Sequence, residues 1–312
     1  MLAAMVSGQV GNSFAKRLTE TMATPIGAVW MRLAFSGVIL LLFALLRRAV
    51  IRHWAATRPE PAAADVTPGS DEAGTNLPYA TTPARHPRQV WLMAVAYGAA
   101  LVAMNSMFYE AIARIPVGIV ITFEFLGPLT VAILGSRRPA DFIWIGLAGL
   151  GMVILGVTPT PLSRAGVLLS LGAGVCWACY ILLGARVAKH WQGVGVLTGT
   201  CLAGSVVLCP FFLAGGNAAT ISRPTIGLAL VVALACTVLP YSLELLALGR
   251  LPTGLFAILE SLAPAVGALA AWCLLGEALH LGDWAAIACV VGASLGATTT
   301  QARARRRLQI AR

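Results

Sequence analysis

The chain has 312 residues, of which 58% are hydrophobic and only 11% charged, and its mean hydropathy is +0.83. Soluble domains carry about 25% charged residues, so this composition excludes a water-soluble globule and indicates a membrane protein. The apolar residues form runs of about 20, the length of a membrane-spanning helix. We find none of the alternating strands of about 10 residues that build a membrane β-barrel.

Ten helical spans are predicted along the chain, with breaks at proline, glycine and charged residues. They cover residues 2–19, 24–46, 89–112, 117–135, 141–158, 165–186, 193–214, 224–248, 254–275 and 283–300. The first span is short, because only 15 residues precede Lys16. We therefore expect either a tilted helix with Lys16 facing the interior or a true start upstream of Met1.

Two segments outside the spans differ in composition. Residues 47–88 are rich in Pro, Ala, Thr and charge. They are predicted to form a disordered loop because they offer too little apolar surface for burial. This loop is either a partner-binding segment or a tolerated linker. Residues 301–312 are predicted to be a basic tail that touches anionic lipid headgroups. With both termini in the cytoplasm, most loop lysines and arginines lie inside, which is the preferred orientation.

A motif is repeated in the two halves of the sequence. Residues 114–118 read Arg-Ile-Pro-Val-Gly and are followed by Glu124 and Pro128. The same spacing recurs in residues 250–254, which read Arg-Leu-Pro-Thr-Gly, followed by Glu260 and Pro264. Five spans per half make the halves 1–158 and 165–300 inverted repeats, which are typical of secondary transporters with a midplane substrate site. The alternative is a duplication that only builds a symmetric bundle.

Each copy of the motif places one acid inside an apolar span. A charged side chain at the centre of a membrane helix costs about 2.5–3.5 kcal/mol, so it must face a cavity, pair with a cation or stay protonated. Pro128 and Pro264 have no N–H to donate to the carbonyls of Glu124 and Glu260. Each site thus offers a carboxylate and a freed carbonyl that could receive an ammonium. The alternative is a structural kink with Glu124 paired to Arg32.

Other polar side chains within spans are candidate substrate-binding or proton-coupling residues. Four of them lie on one face of the first helix: Gln9, Asn12, Ser13 and Lys16. Arg32 either holds a substrate carboxylate or pairs with Glu124. The remaining candidates in the later spans are Asn105, Tyr109, Trp177, Tyr180 and Tyr241. A third helix kink is predicted at Pro240.

Several other classes of function are disfavoured by the sequence. Cys176 and Cys179 have redox-like spacing, but all seven cysteines lie in apolar spans, where cysteine acts as a small hydrophobic residue. We therefore predict no metal and no cofactor. There is no Walker loop and no helically spaced Ser/His/Asp set, so we predict no enzyme. The net charge of +10 is scattered over loops and tail, which argues against nucleic-acid binding.

Longer stretches of the chain resemble the EamA-type drug/metabolite transporters, most closely the RhtA-type threonine/homoserine exporters. The stretches that carry the resemblance are Met31–Ala34, Ile115–Ile119, Glu124–Pro128, Ser136–Phe142, Gly172–Ala178, Leu239–Glu244, Arg250–Thr253 and Leu275–Glu277. The resemblance implies two inverted five-helix repeats with cytoplasmic termini. It also implies export of small amino acids or similar metabolites by proton exchange.

The resemblance covers nearly the whole chain except residues 47–88 and the basic tail. One departure concerns the second acid, since relatives often carry Glu directly before the proline, where this chain has Ala263. Other hypotheses are export of a purine, aromatic amino acid or lipophilic cation, and a non-transporting membrane scaffold or receptor. The expected partners are a small-molecule substrate, protons and lipids, with the chain a monomer or homodimer in the inner membrane.

Overall fold

The computed structural model describes residues 2–57, 88–134, 141–157, 162–187, 195–240, 243 and 262–310, and within these ranges it contains helices and no strands. We number the helices in chain order: α1 (Leu2–Thr21), α2 (Pro25–Thr57), α3 (Arg88–Ile112), α4 (Val117–Glu124), α5 (Leu126–Leu134), α6 (Asp141–Val157), α7 (Arg164–Val187), α8 (Gly195–Ala214), α9 (Arg223–Ala233), α10 (Ala263–Leu275) and α11 (Leu281–Ile310).

The helical membrane fold predicted from the apolar runs is confirmed. In the described part of the chain, four helices are long and apolar enough to cross a membrane: Pro25–Val50, Arg88–Ile112, Arg164–Gly184 and Gly195–Ala214. Shorter apolar helices cover Val117–Val131, Arg223–Val238, Ala263–Leu275 and Leu281–Gly296. Each predicted span thus has a helix in its place, with α4 and α5 together forming the fourth.

Two helices extend beyond the predicted spans. The prediction of a disordered loop from residue 47 is wrong at its start, because α2 continues to Thr57. Likewise α11 continues to Ile310, through most of the predicted tail. Both extensions are rich in Ala and Arg, which have high helix propensity, and this local preference outweighs their polarity. Residues 58–87 lie outside the described part of the chain.

Proline interrupts the helices in two described places. The fourth span breaks at Phe125, between α4 and α5, because Pro128 cannot donate to the carbonyl of Glu124. The eighth span widens after α9 into a π-helical turn, Leu234–Val238, just ahead of Pro240. Pro264 lies in the first turn of α10, where proline is well tolerated. Residues 244–261, before this turn, are not among those described.

The two halves of the chain pack together symmetrically: equivalent helices pair with each other, and the first helix of each half packs on helices of the other half. The pairs α2–α8, α4–α10 and α6–α11 join equivalent helices. Helix α7 packs on α3, α4 and α5, and its equivalent, α1, packs on α9 and α10. We call α3, α4, α5 and α7 the first bundle, and α1, α9 and α10 the second bundle. An approximate two-fold relation between residues 2–157 and 164–310 would produce this pattern.

Within the first bundle, α7 touches the break between α4 and α5 backbone to backbone. A Cβ atom on Gly174 would lie 2.7 Å from the carbonyl oxygen of Glu124, and one on Gly127 would overlap the carbonyl of Gly174. Two glycines therefore let α7 approach the break closely. This contact fixes the position of Glu124 along the length of α7.

The Gly174→Ala variant is expected to be less stable than the parent, by about 1–3 kcal/mol, because the added methyl would overpack against the backbone of Glu124. The measurement is the thermal unfolding midpoint of the purified protein in detergent. Gly149→Ala in α6 is the matched control, since a Cβ there meets no atom within 4 Å. Equal midpoints for the two variants would contradict the proposed close packing.

Candidate functional site

Arg32 lies in the interior of the protein, on α2, and is only 8% exposed. Its Nε donates to Thr237 Oγ1 at 3.2 Å, and its Nη2 donates to the carbonyl of Cys236 at 3.1 Å. The guanidinium also stands over the ring of Tyr109, 5.9 Å from the centroid, which is a cation–π distance. These contacts hold the positive charge in one orientation between α2, α3 and the π-helical turn that follows α9.

The carbonyl that Arg32 binds belongs to the π-helical turn that precedes Pro240. Proline has no N–H, so one carbonyl of this segment loses its helical donor. Side chains of the neighbouring helices bind two more carbonyls of this segment: Ser7 donates to Ala235 at 3.0 Å and Ser36 to Ala233 at 3.5 Å. The π-helical turn thus presents its backbone oxygens to α1 and α2.

Glu124 is buried at the C-terminal end of α4, with 7% of its surface exposed. Its carboxylate interacts electrostatically with Arg32. The ion pairs among the described residues are Lys16–Glu277 and Glu110–Arg114, so the alternative of a direct Arg32–Glu124 pair is not observed there. No described residue donates a hydrogen bond to the carboxylate, whereas the Glu124 carbonyl lies against Gly174 of α7. The carboxylate is therefore the group of Glu124 that a ligand can use.

Tyr109 is completely buried beneath Arg32. Within the described part of the chain its hydroxyl has no hydrogen-bond partner, and the buried hydroxyl of Ser13 has none either. Asn105, one turn earlier on α3, donates to the carbonyl of Leu101 at 2.8 Å and so spends a donor on its own helix. A buried hydroxyl without a partner is unfavourable by about 1–3 kcal/mol, which makes Tyr109 a group that a polar ligand would satisfy.

The polar face predicted for α1 points into the protein. Asn12 donates to Gln9 at 3.1 Å, and the Cys236 thiol lies 3.7 Å from Asn12 Oδ1. Gln9 also contacts α10, since a Cβ on Gly267 would lie 3.0 Å from its side-chain oxygen. Gln9 and Asn12 therefore border the π-helical turn Leu234–Val238, whose residues bind Arg32.

Lys16, on the same face of α1, lies apart from this group. It forms an ion pair with Glu277, whose other carboxylate oxygen accepts the backbone N–H of Val117 at 2.9 Å. Val117 begins α4 and Glu124 ends it, which separates them by about 10 Å at 1.5 Å per residue. The structure therefore does not bring Lys16 to Glu124.

The two aromatic candidates on α7 differ in position. Trp177 packs edge-on against Phe125, with ring centroids 5.6 Å apart, and so flanks the residue that follows Glu124. Tyr180 stacks on Tyr97 of α3 at 4.7 Å, which joins two helices of the first bundle. Trp177 is thus placed beside the acid, and Tyr180 is placed at a helix contact.

The remaining candidates, Tyr241 and Glu260, lie outside the described residues. No group of three or more His, Cys, Asp or Glu side chains within the described ranges is placed to hold a metal ion. The residues that the structure does bring together we call the central polar cluster: Gln9, Asn12, Arg32, Tyr109, Glu124, Cys236 and Thr237. The cluster combines side chains of both bundles and α2, so it lies where the two bundles meet.

The sequence indicates every member of this cluster except Cys236. Thr237 forms a polar stripe with Tyr241 and Glu244 within the eighth predicted span. Cysteine is an ordinary residue in a membrane helix, so Cys236 carries no signal of its own. Pro240 does carry one, because a proline leaves a carbonyl of the preceding turn without its helical donor, and Cys236 lies in that turn.

Comparison with known proteins places the chain among transporters. The model of the EamA-like transporter family matches residues 164–299. The threonine/homoserine exporter RhtA of Escherichia coli (strain K12) is 35% identical over 303 residues, which is 96% of this chain and 90% of that protein. RhtA of Salmonella typhimurium (strain LT2) is equally similar, with the same coverage.

The fold has a counterpart among solved structures as well. A crystal structure matches with a TM-score of 0.58 and 18% identity, covering 96% of this chain and 98% of the other. At that identity the likeness concerns the fold alone. Taken with the identity to the two exporters over nearly the full length, these similarities show that the chain belongs to the EamA-like transporter family.

Proposed function

We propose that this transporter exports small amino acids resembling threonine and homoserine from the cytoplasm, in exchange for protons. The observation that carries the proposal is a pair of opposite charges, Arg32 and Glu124, that are both buried and form no direct ion pair with each other. A zwitterionic amino acid carries the two complementary charges. The relatives named as threonine/homoserine exporters support the choice of substrate.

The central polar cluster suggests a role for each side chain. The substrate ammonium would bind the carboxylate of Glu124, and its carboxylate would bind the guanidinium of Arg32, whose five N–H donors suit such a group. The buried hydroxyl of Tyr109 would pair with the hydroxyl of the substrate side chain. Gln9 and Asn12 would line the opposite wall on α1.

Proton exchange would use the buried carboxylate of Glu124. Glu124 in its buried position favours a bound positive partner, because an isolated charge in a membrane protein interior is unfavourable. A proton and a substrate ammonium would compete for it, so that each displaces the other. With the two termini in the cytoplasm, proton entry from outside would then drive amino-acid exit.

Threonine and homoserine are expected to raise the thermal unfolding midpoint of the purified protein, because a ligand that binds only the folded state stabilises it. At ten times its Kd, such a ligand contributes about 1.4 kcal/mol. We expect 2-aminobutyrate, which lacks the hydroxyl, to stabilise less at the same concentration. A panel of purines, aromatic amino acids and lipophilic cations tests the other substrate classes.

The same panel of compounds can also contradict the proposal. Stabilisation by a purine or a lipophilic cation, with none by threonine or homoserine, would assign the protein to another substrate. The measurement is made at pH 6 and pH 8, since competition between proton and ammonium at Glu124 predicts weaker stabilisation by amino acids at the lower pH. Efflux from vesicles loaded with the stabilising compound then tests whether binding leads to transport.

A further inference from the structure

One end of the contact between the bundles is closed by a set of polar contacts. Glu277 follows α10 and forms an ion pair with Lys16 of α1. Its second oxygen accepts the N–H of Val117, the first residue of α4, at 2.9 Å. The side chains of Lys16 and Glu277 are only 20% and 10% exposed, so the contacts are largely shielded from solvent.

Local chain geometry directs Glu277 to this place. Helix α10 ends at Gly276, whose φ of 68° is accessible mainly to glycine, and the turn brings the next residue beside α4. Helix α4 begins after Pro116, which provides no side-chain cap. The free N–H groups at that helix end attract a carboxylate through hydrogen bonding and the helix dipole. Glu277 therefore caps α4 from another part of the chain.

The cap connects the two bundles, whereas the ion pair does not. Val117 belongs to the first bundle, and Glu277 is attached to the second through α10. Lys16 is on α1, also in the second bundle. Below the cap, α4 and α10 touch closely, since a Cβ on Gly118 would lie 2.9 Å from Ala268. The hydrogen bond from Val117 to Glu277 thus lies at the end of the contact that leads to the central polar cluster.

We propose that Glu277 is a latch, a positioning residue that holds this end of the transport pathway closed through its bond to Val117. When the bundles separate here, that bond breaks, while the ion pair with Lys16 moves with the second bundle. Glu277 therefore keeps a charged partner in the open state, and the latch can close again. The proposal depends on transport between the bundles, but it does not depend on which substrate is carried.

The test is the accessibility of a cysteine placed beneath the latch. Ala271 is fully buried in α10, about 6 Å along the helix from Leu275, and Ala271→Cys adds one sulfur atom. A membrane-impermeant maleimide is applied to intact cells and to inverted vesicles, and labelling at position 271 is followed by mass spectrometry. We expect labelling from one side only, and about tenfold faster when Glu277→Ala is added, because a charge-assisted hydrogen bond is lost.

Glu110→Ala is the matched control. It removes a carboxylate whose ion-pair partner, Arg114, lies on the same chain segment and so does not link the bundles. We expect its labelling rate to equal that of the parent. Lys16→Met leaves the bond from Val117 to Glu277 possible, and we expect it to raise the rate less than Glu277→Ala does.

Three results would overturn the proposal. The first is an unchanged rate in Glu277→Ala, and the second is an equal increase in Glu110→Ala. The third is faster labelling from both sides, which would indicate general loosening of the fold. If Glu277→Ala does not fold, Glu277→Met replaces it, because methionine has a similar length but no oxygen to accept the Val117 N–H, and a rate no higher than that of the parent would then count against the latch. No substrate is added, so the result is independent of the threonine hypothesis.

Discussion

Replacing Glu124 with glutamine is expected to abolish proton-driven export while the protein remains folded. Glutamine has the same shape as a protonated glutamate, and no described residue donates a hydrogen bond to the carboxylate, so the free energy of unfolding should change little. The variant lacks the group that would bind a proton and a substrate ammonium in turn, so transport should stop. A hydrogen bond to a charged group is worth about 1.5–3 kcal/mol, so the affinity for the amino acid should fall by about 10- to 100-fold.

The measurement uses purified protein in vesicles loaded with labelled threonine, with a pH gradient imposed across the membrane. Efflux driven by the gradient is compared with exchange of labelled for unlabelled threonine in its absence. If Glu124 binds both proton and substrate, Glu124→Gln loses both activities. If it carries only the proton, exchange continues and gradient-driven efflux stops.

Glu110→Gln serves as the control for removing a carboxylate from the first bundle, because Glu110 lies near the end of α3 and pairs with Arg114. We expect its efflux to stay near that of the parent, because an exposed ion pair contributes only about 0.2–1 kcal/mol to stability and Glu110 does not belong to the central polar cluster. Undiminished, gradient-driven efflux in Glu124→Gln would remove Glu124 from the mechanism and leave its burial a structural feature.

Periodic features of the sequence predicted the helices and the acid. Apolar runs of membrane length fix where helices form, and the pairing of Glu124 with Pro128 predicted the break between α4 and α5. The Gln9–Asn12 face of α1 was predicted from helical spacing alone and does face the interior. These features succeed because they depend on neighbours within one or two turns.

Contacts between distant segments were not predicted, for a physical reason. Lys16 and Glu277 are 261 positions apart, and nothing in either local sequence specifies the other as its partner. Helical spacing alone makes Lys16 a candidate substrate ligand, and only the folded chain shows its ion pair with Glu277. The prediction that a disordered loop begins at residue 47 is wrong for another reason. Its polar composition suggested disorder, but the residues up to Thr57 include strong helix formers and continue α2.

Arg32 is expected to be the residue whose loss affects both stability and transport. Arg32→Ala would remove the donor that the described residues supply to the Cys236 carbonyl, and an unsatisfied buried polar group costs about 1–3 kcal/mol. It would also remove the cation that interacts with Glu124. Arg32→Lys keeps the charge but not the planar fork that reaches Thr237 and Cys236 together. We therefore expect Arg32→Lys to fold and to transport poorly.

Thr237→Val is the matched control for the structural part of this role. It removes the acceptor for Arg32 Nε but leaves the charge and the bond to Cys236 in place. We expect a loss of about 1 kcal/mol in the free energy of unfolding in detergent and near-parental transport. If Thr237→Val impaired transport as much as Arg32→Lys, the orientation of the guanidinium rather than its charge would be decisive.

A substrate analogue separates the two functions that Arg32 can have. The amino alcohol of threonine, in which CH₂OH replaces the carboxylate, keeps the ammonium that would bind Glu124 but offers a guanidinium only a neutral hydroxyl, without charge or bidentate geometry. If Arg32 holds the substrate carboxylate, Arg32→Gln weakens threonine binding by about 10-fold or more and leaves the binding of the amino alcohol nearly unchanged. If Arg32 only supports the charge of Glu124, both ligands weaken together, and adding Glu124→Gln restores part of the lost stability, as expected for coupled residues. Thermal shifts of the single and double variants with each ligand decide between these outcomes, because only the first assigns Arg32 to the substrate.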